Sequence, residues 1–345
     1  MPTFCRHNRF VERCPICSKT LPGAAAGARA PAGAPKRRAG GGSAGGARRS
    51  RSEGLRVRHE GRAAEDGYRS ELVQGLRASA DAERLAQEIA FGAGRIGVLA
   101  AAPPGLYREA RLAAGAGELE RALWICFLTA YLCPIEGEED PFAGIRAALA
   151  LMPDPIAGES GPLADLDGIP LGPRTSHDRA RGSSTLAAYR QWIGRAGGSP
   201  DEPGGPSQAV AFTGDPSWAP QRRFERIYER FNLPGLTRPA RFDLLVTIGR
   251  LGLLEMSADS LHFSGGRGAA GSDDSTAAAK RVFGIGDSIL LERRAATLAS
   301  LASVPLEALD PALASWGAAA RATLGVPADS GDAGALERVR AVLDL

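Results

Sequence analysis

The sequence predicts an almost entirely α-helical protein, on three observations. Outside its Gly- and Pro-rich stretches the chain is dominated by Ala, Leu, Arg and Glu, residues that lose little on entering a helix. β-Branched residues are sparse and aromatic ones make up only 6%, too few to furnish the faces of a sheet. Apolar residues recur at helical spacing over long segments, and no segment alternates as a strand would.

Residues 1–22 form a compact Cys/His segment. Residues 23–54 are low-complexity Gly, Ala, Pro and Arg, which bury too little apolar surface to offset chain entropy, so a disordered basic linker is expected, reaching to residue 66. From residue 67 to 345 the pattern is helical and reads as one body or as two lobes, 67–217 and 218–345. Leu72, Leu76, Leu85, Ile89 and Val98 share helical spacing until Pro103-Pro104 ends the run. A second helix starts near Gly117; its segment LERALWICFLTAYLC is apolar nearly all round, as a central core helix is. Pro134 stops it, and the acidic turn Glu136–Asp140 follows, either solvated or one side of a pocket. Residues 153–217 are Gly-, Pro-, Ser- and Asp-rich around one helix, Thr185–Ala196; a loop this long is functional or disordered. Helices are then expected at Gln221–Phe231, Pro239–Leu254, Thr276–Phe283, Ile289–Ala302, Pro311–Leu324 and Ala335–Leu343, with the Gly-rich loop Gly265–Ser272 among them.

The formal charge of +3 hides an asymmetry. Residues 1–70 carry 15 Lys/Arg against 5 Asp/Glu, a balance of +10, and the remaining 275 carry 27 against 34, or −7. A cationic arm on an acidic body suits a polyanion such as DNA; its plain alternative is a solubilising tail. Met1–Phe10 is too polar for a secretory signal, and the apolar run Ala122–Leu132 is about half a membrane span. A cytoplasmic, nucleoid-associated, monomeric protein without a membrane partner is therefore expected.

Cys5, His7, Cys14 and Cys17 supply four zinc ligands within 13 positions, and Pro15 favours the turn that points both sulfurs of the Cys-x-x-Cys pair at one ion. Four protein ligands leave no open position, so the zinc is expected to be structural. Arg6, Arg9, Arg13 and Lys19 would bring such a knuckle to phosphate. Cys126 and Cys133 read as packing residues. No phosphate loop of the Walker type and no dinucleotide fingerprint occurs, so no nucleotide cofactor is expected.

Two short turns between helices carry the DNA-binding expectation. One is Phe231-Asn232-Leu233-Pro234-Gly235-Leu236; the other runs from Lys280 and Arg281 through Gly284-Ile285-Gly286-Asp287. Glycines let the backbone turn tightly and leave the first amides of the next helix free for a phosphate. Arg222, Arg223, Arg238 and Arg241 surround the first turn, and Lys280, Arg281, Arg293 and Arg294 the second.

The L-P-G turn and the F-G-I-G-D hairpin resemble the helix-hairpin-helix DNA glycosylase superfamily. The segments FCRHNRFVERCPIC, ALWICFLTAYLCPIEGEEDPF, LGPRTSHD, AFTGDPSWAPQRRFERIYERFNLPGLTRPARFDLLVTIGRLGL and AAKRVFGIGDSILLERRAATLA resemble the alpha-glutamyl/putrescinyl thymine pyrophosphorylase family, clade three. The resemblance spans most of residues 68–320. It implies a helix-hairpin-helix body and a DNA N-glycosylase that removes a modified or damaged base, such as uracil or a modified thymine, in base-excision repair. It equally admits an enzyme of hypermodified-thymine metabolism, and the basic residues by themselves admit a non-catalytic DNA-binding protein. The sequence departs from the superfamily where Leu236-Thr237-Arg238 follows Gly235, and where Glu255 and Asp259 stand in the stretch that usually holds the catalytic aspartate.

Breaking a base–sugar bond builds positive charge on the sugar, so a carboxylate and a pocket for an extruded base are needed. Asp287 is the first candidate; its plain alternative is a helix N-cap. Asp243, with Arg241 or Arg250 as a structural partner, is the second. His177, beside Asp178, would hold the base or relay a proton, unless it is a loop histidine bonded to backbone. Tyr107, Tyr189, Trp192 and Trp218 are either base-stacking platforms or core anchors.

Overall fold

Helix α3 (Leu119–Leu132) is buried nearly all round from Ala122 onward, and four other helices pack on it. A computed structural model describes residues 63–154, 165–198, 205–264 and 273–345. The Cys5, His7, Cys14 and Cys17 cluster, the basic linker up to residue 62 and the loop 265–272 lie outside the described residues. Within them the protein is all α, with no strand.

From Ala122 to Leu132, only Ala130 of α3 is not fully buried. Its polar groups are satisfied inside the core: Thr129 donates to the Ile125 carbonyl (2.8 Å), the Trp124 indole to the Met152 carbonyl (2.7 Å), and the Tyr131 hydroxyl bonds His177 Nδ1 (2.7 Å). Helices α2 (Gly105–Gly115), α4 (Ala143–Leu151), α6 (Gln208–Thr213) and α8 (Arg238–Arg250) lie against it. α2, α4 and α6 were not expected from the sequence. They are short and take their stability from the faces they bury on α3 and its neighbours.

Helix α1 (Ser79–Ala101) packs on α8, α11 (Leu309–Gly317) and α12 (Ala333–Val342). Glycines permit this approach: a Cβ on Gly92 would stand 2.3 Å from the Ala308 carbonyl oxygen, and one on Gly94 only 1.7 Å from that of Ser330. The stretch 79–115 is long and apolar enough to cross a membrane, but Pro103-Pro104 separates it into α1 and α2, and 56% of its most apolar window is buried inside the protein.

The structure corrects several boundaries. Residues 63–78 are not helical although Leu72 and Leu76 have helical spacing. There Gly75 donates to the Val282 carbonyl (2.9 Å) and Asp66 accepts from the Ser79 amide (3.1 Å), so tertiary bonds replace the helical ladder while Val73 and Leu76 still fill the core. α11 ends at Gly317 rather than at residue 324. The remaining helices fall close to expectation: α5 (Ser184–Ala196), α7 (Pro220–Arg230), α9 (Asp274–Phe283), α10 (Ser288–Leu301) and α12.

One hydrophobic cluster runs from Val73 to Leu343, across the position where the sequence admitted two lobes. Phe127 and Tyr189 stack at 3.8 Å, with Trp124, Trp192, Phe212 and Phe231 around them. Tyr107, Tyr189 and Trp192 are fully enclosed core anchors, so they offer no face to a base. Trp218 is half-buried beneath the Arg230 guanidinium (5.2 Å).

The glycines of α1 give a paired test. Gly97 is exposed and a Cβ there meets nothing within 4 Å, so Gly97→Ala should stabilise by up to about 1 kcal/mol through helix propensity. Gly94→Ala should destabilise by about 1–3 kcal/mol through overpacking. Urea midpoints of the two variants check the opposite signs.

Candidate functional site

The two turns picked out by the sequence both join helices, but they differ in what surrounds them. Between α7 and α8, Gly235 takes φ +84°, and a Cβ there would lie 2.3 Å from Thr185 Oγ1. Thr185 donates to the Pro234 carbonyl (2.8 Å), and Ser176 Oγ bonds Thr237 Oγ1 (2.8 Å) at the N-cap of α8. This first turn is packed against α5 and the 176 loop.

Its arginines are mostly consumed inside the protein. Arg223, buried, donates to the carbonyls of Thr213 (3.0 Å), Glu255 (2.7 Å) and Pro216 (3.3 Å). Arg238, 7% exposed, donates to the Leu261 carbonyl (2.9 Å) and pairs with Asp273 (2.8 Å) and Asp310 (2.5 Å). Arg241 lies on the Tyr228 ring (3.9 Å) and donates to the Tyr228 carbonyl (3.2 Å) and to Asn232 (3.3 Å). These three are structural rather than DNA-facing, a correction of the sequence reading; Arg222 stays exposed. Spacing placed them near the turn but could not show which way each helix face points.

The second hairpin, between α9 and α10, faces outward. Gly284 caps α9 in the left-handed region (φ +67°), and Gly284, Gly286 and Asp287 are exposed. Asp287 accepts from the Leu290 amide (3.0 Å) as the N-cap of α10, which is the plain alternative for this residue. The amides of Ile285, Gly286, Ser288 and Ile289 meet no acceptor among the described residues. Arg293 is exposed, Arg294 donates to the Glu71 carbonyl (2.5 Å), Arg281 lies over Trp316 (5.0 Å) and Lys280 is half-buried in the last turn of α9. Ile289 and Leu290 expose 65% and 44% of their surface beside these amides.

At the other end of α9, which is about 15 Å away at 1.5 Å per residue, lies a cavity of about 40 Å³. Asp243, Asp310, Arg174, Thr129 and Cys133 line it, with Leu324 opposite. A cavity of this size has room for water and not for a base. Asp243 is held by Arg95, not by Arg241 or Arg250, through two bonds of 2.7 and 3.1 Å; Arg250 pairs with Glu307 (3.0 Å). Arg95 is 1% exposed and Asp243 21%. Burial opposes the charge on Arg95, but Asp243 and Tyr107 outweigh it and hold the guanidinium pKa above its ordinary value.

Asp310 shares Arg238 with Asp273. Burial pushes the Asp310 carboxyl up, against the pull of Arg238. Burial works on Asp273 in the same direction, but Arg238 and Thr276 hold it below the usual range. The two carboxylates on one guanidinium are thus driven apart, and Asp310 is the one that keeps a proton longer. Burial pushes the Cys133 thiol up to about 12, and its backbone sits at φ +61°, an uncommon conformation for a residue with a Cβ.

Loop 172–178 closes this region. His177 is buried and its Nδ1 lies 2.7 Å from the Tyr131 hydroxyl, while Nε2 has no partner. The ring is therefore bonded to a side chain and not to backbone; burial pushes its pKa down, partly offset by Asp167. Glu136 leaves the acidic turn to accept from the Thr323 amide (2.9 Å) and hydroxyl (2.7 Å), so it braces residues 323–324. No group of three or more His, Cys, Asp or Glu gathers as a metal site among the described residues.

Sequence reasoning missed Arg95, Arg174 and Asp310. A lone arginine inside an apolar Gly-flanked helix is a signal for the first, and an Asp-Pro pair at a helix start is one for the last. Set beside known proteins, the chain matches no family model, no curated protein and no solved structure.

Two outcomes follow from this geometry. Asp243→Ala leaves a buried uncompensated cation and should cost about 3–5 kcal/mol, whereas Arg95→Met with Asp243→Leu should recover much of that loss; urea unfolding of both variants measures it. Burial, then Arg241 and Arg238, push His262 from 6.5 to about 4. Its folded pKa lies below its unfolded one, so stability present above about pH 6.5 is lost as the pH falls towards 4. His262→Phe, which keeps the stack on Tyr228 (3.8 Å), should flatten this part of the stability–pH curve.

Proposed function

We propose that this protein is a DNA N-glycosylase with a helix-hairpin-helix body, acting on a modified or damaged base. The single observation that carries the reading is the second hairpin: open amides at the start of α10 beside exposed glycines, Arg293 and Arg294. Such a turn binds a backbone phosphate through helix-start amides and aligned cations. The resemblance of its F-G-I-G-D segment to the glycosylase superfamily supports the same partner.

The chemistry falls to the cavity at the far end of α9. Asp243, held in two-bond geometry by Arg95, stabilises the positive charge that builds on the sugar as the base departs, or orients the attacking water. Asp310, with its raised pKa, supplies or stores a proton, and Arg174 adds a cation at the wall. An extruded base needs more room than 40 Å³, so loop 172–178 must give way on binding. The four ligands Cys5, His7, Cys14 and Cys17 form a structural zinc knuckle on the basic arm in this reading.

The small cavity specifically favours a second reading, a DNA-binding protein without excision. One experiment separates them. Duplex and single-stranded oligonucleotides carrying uracil, hydroxymethyluracil, hypoxanthine or an alkylated base are incubated with the protein and then treated with alkali. Strand breaks are expected for at least one base. Asp243→Asn and Asp310→Asn should lower the rate by about 100-fold or more while binding is retained, and Asp287→Asn, which still caps α10, should leave it unchanged. Binding without breaks on every substrate sinks the glycosylase in favour of the binder. A mass change in an unbroken strand points to hypermodified-thymine chemistry instead.

A further inference from the structure

The segment that enters α1 is fastened to the second hairpin at two points. Gly75 donates to the Val282 carbonyl (2.9 Å), and a Cβ on Gly75 would stand 1.7 Å from the Arg281 carbonyl oxygen and 2.9 Å from the Gly284 nitrogen. At the other edge Arg294 donates to the Glu71 carbonyl (2.5 Å). Between these two fastenings lies an open depression of about 390 Å³, lined by Arg69, Ser70, Glu71, Gln74, Arg77 and Asp344. Arg69 and Arg77 are exposed, and neither is paired with a carboxylate among the described residues. Other arginines of comparable exposure, such as Arg121 and Arg226, have an acid one turn away.

We infer that residues 69–77 and the second hairpin make one strand-binding face, on which Arg69 and Arg77 take backbone phosphates of the same DNA that the start of α10 holds. The inference rests on the DNA-binding reading above and extends it to a segment outside any hairpin. Charge decides the occupant. Arg69, Arg77, Arg293 and Arg294 stand on the joined segments against Glu71, Asp287 and Asp344. Glu292 is turned inward, accepting from the Leu261 and Phe263 amides (2.7 Å each). A polyanion is favoured over an acidic peptide because Arg69 and Arg77 flank an open groove on the segment fastened to the hairpin, where a repeating phosphate chain can meet both. Glu71 and Asp344 weaken the grip, which gives the idea a second, oppositely signed test.

The measurement is fluorescence anisotropy of the full chain with a labelled short duplex across a salt series; the basic arm contributes equally to every variant. Arg69→Ala with Arg77→Ala should weaken binding several-fold at fixed salt. It should also reduce the slope of log K against log salt by about 0.9 for each phosphate lost. Glu71→Gln with Asp344→Asn should tighten binding. Arg108→Ala, an exposed arginine on α2, should do neither. If the Arg69/Arg77 variant keeps the wild-type slope and affinity while Arg293→Ala with Arg294→Ala binds more weakly, the extended face is wrong and the hairpin stands. If the wild type shows no salt-dependent binding, the DNA reading fails, and the extended face with it.

Discussion

The pair of Arg95 and Asp243 is the constraint to which the rest of the body conforms. Arg95 is a charge in the middle of an apolar helix, and a lone buried cation costs several kcal/mol. The cost is offset only if a carboxylate meets it in two-bond geometry, which forces α8 against α1. Once α8 is placed there, its N-terminal turn brings Arg238 between Asp273 at the head of α9 and Asp310 at the head of α11. Four helices are thereby fixed through charged contacts that tolerate little error in angle or distance.

The cavity is a by-product of that arrangement. Asp243, Asp310 and Arg174 meet at the gap, whose remaining wall is largely apolar, with Ala130, Pro134, Pro239, Ala240, Pro311 and Leu324. Its two carboxylates differ in environment, one clamped by a guanidinium of its own and one sharing a guanidinium with a neighbour. Helix α9 links this recess to the outward hairpin. Asp273 at its start belongs to the charge network, and Gly284 at its end opens the turn, so the helix fixes the distance between the network and the outward hairpin.

Much of the helical skeleton was legible in the sequence. The all-round apolar segment LERALWICFLTAYLC became the central helix, and the F-G-I-G-D turn became an exposed hairpin with its glycine in the left-handed region. The candidate site was only partly legible. Asp243 was singled out, yet its partner lies 148 positions earlier in the chain. Arg223 and Arg238 looked like members of a basic cluster, because clustering along a sequence cannot tell a solvated arginine from one that ties carbonyls together in the interior. Asp287 carried two readings of equal standing, and the structure shows the N-cap bond from the Leu290 amide.

What the sequence determined by itself was local: helix-forming composition, apolar periodicity, and glycines where the backbone must reverse. These are set by residues within a few positions of one another, so neighbours along the chain suffice to reveal them. Tertiary structure decided which charges face inward, that residues 63–78 stay irregular, that Arg95 pairs with Asp243 and Arg238 with Asp310, and that the two carboxylates line one recess with Arg174. Those outcomes depend on desolvation and on partners remote in the chain. Whether a given arginine is a binding residue or a brace is settled only when its surroundings are assembled.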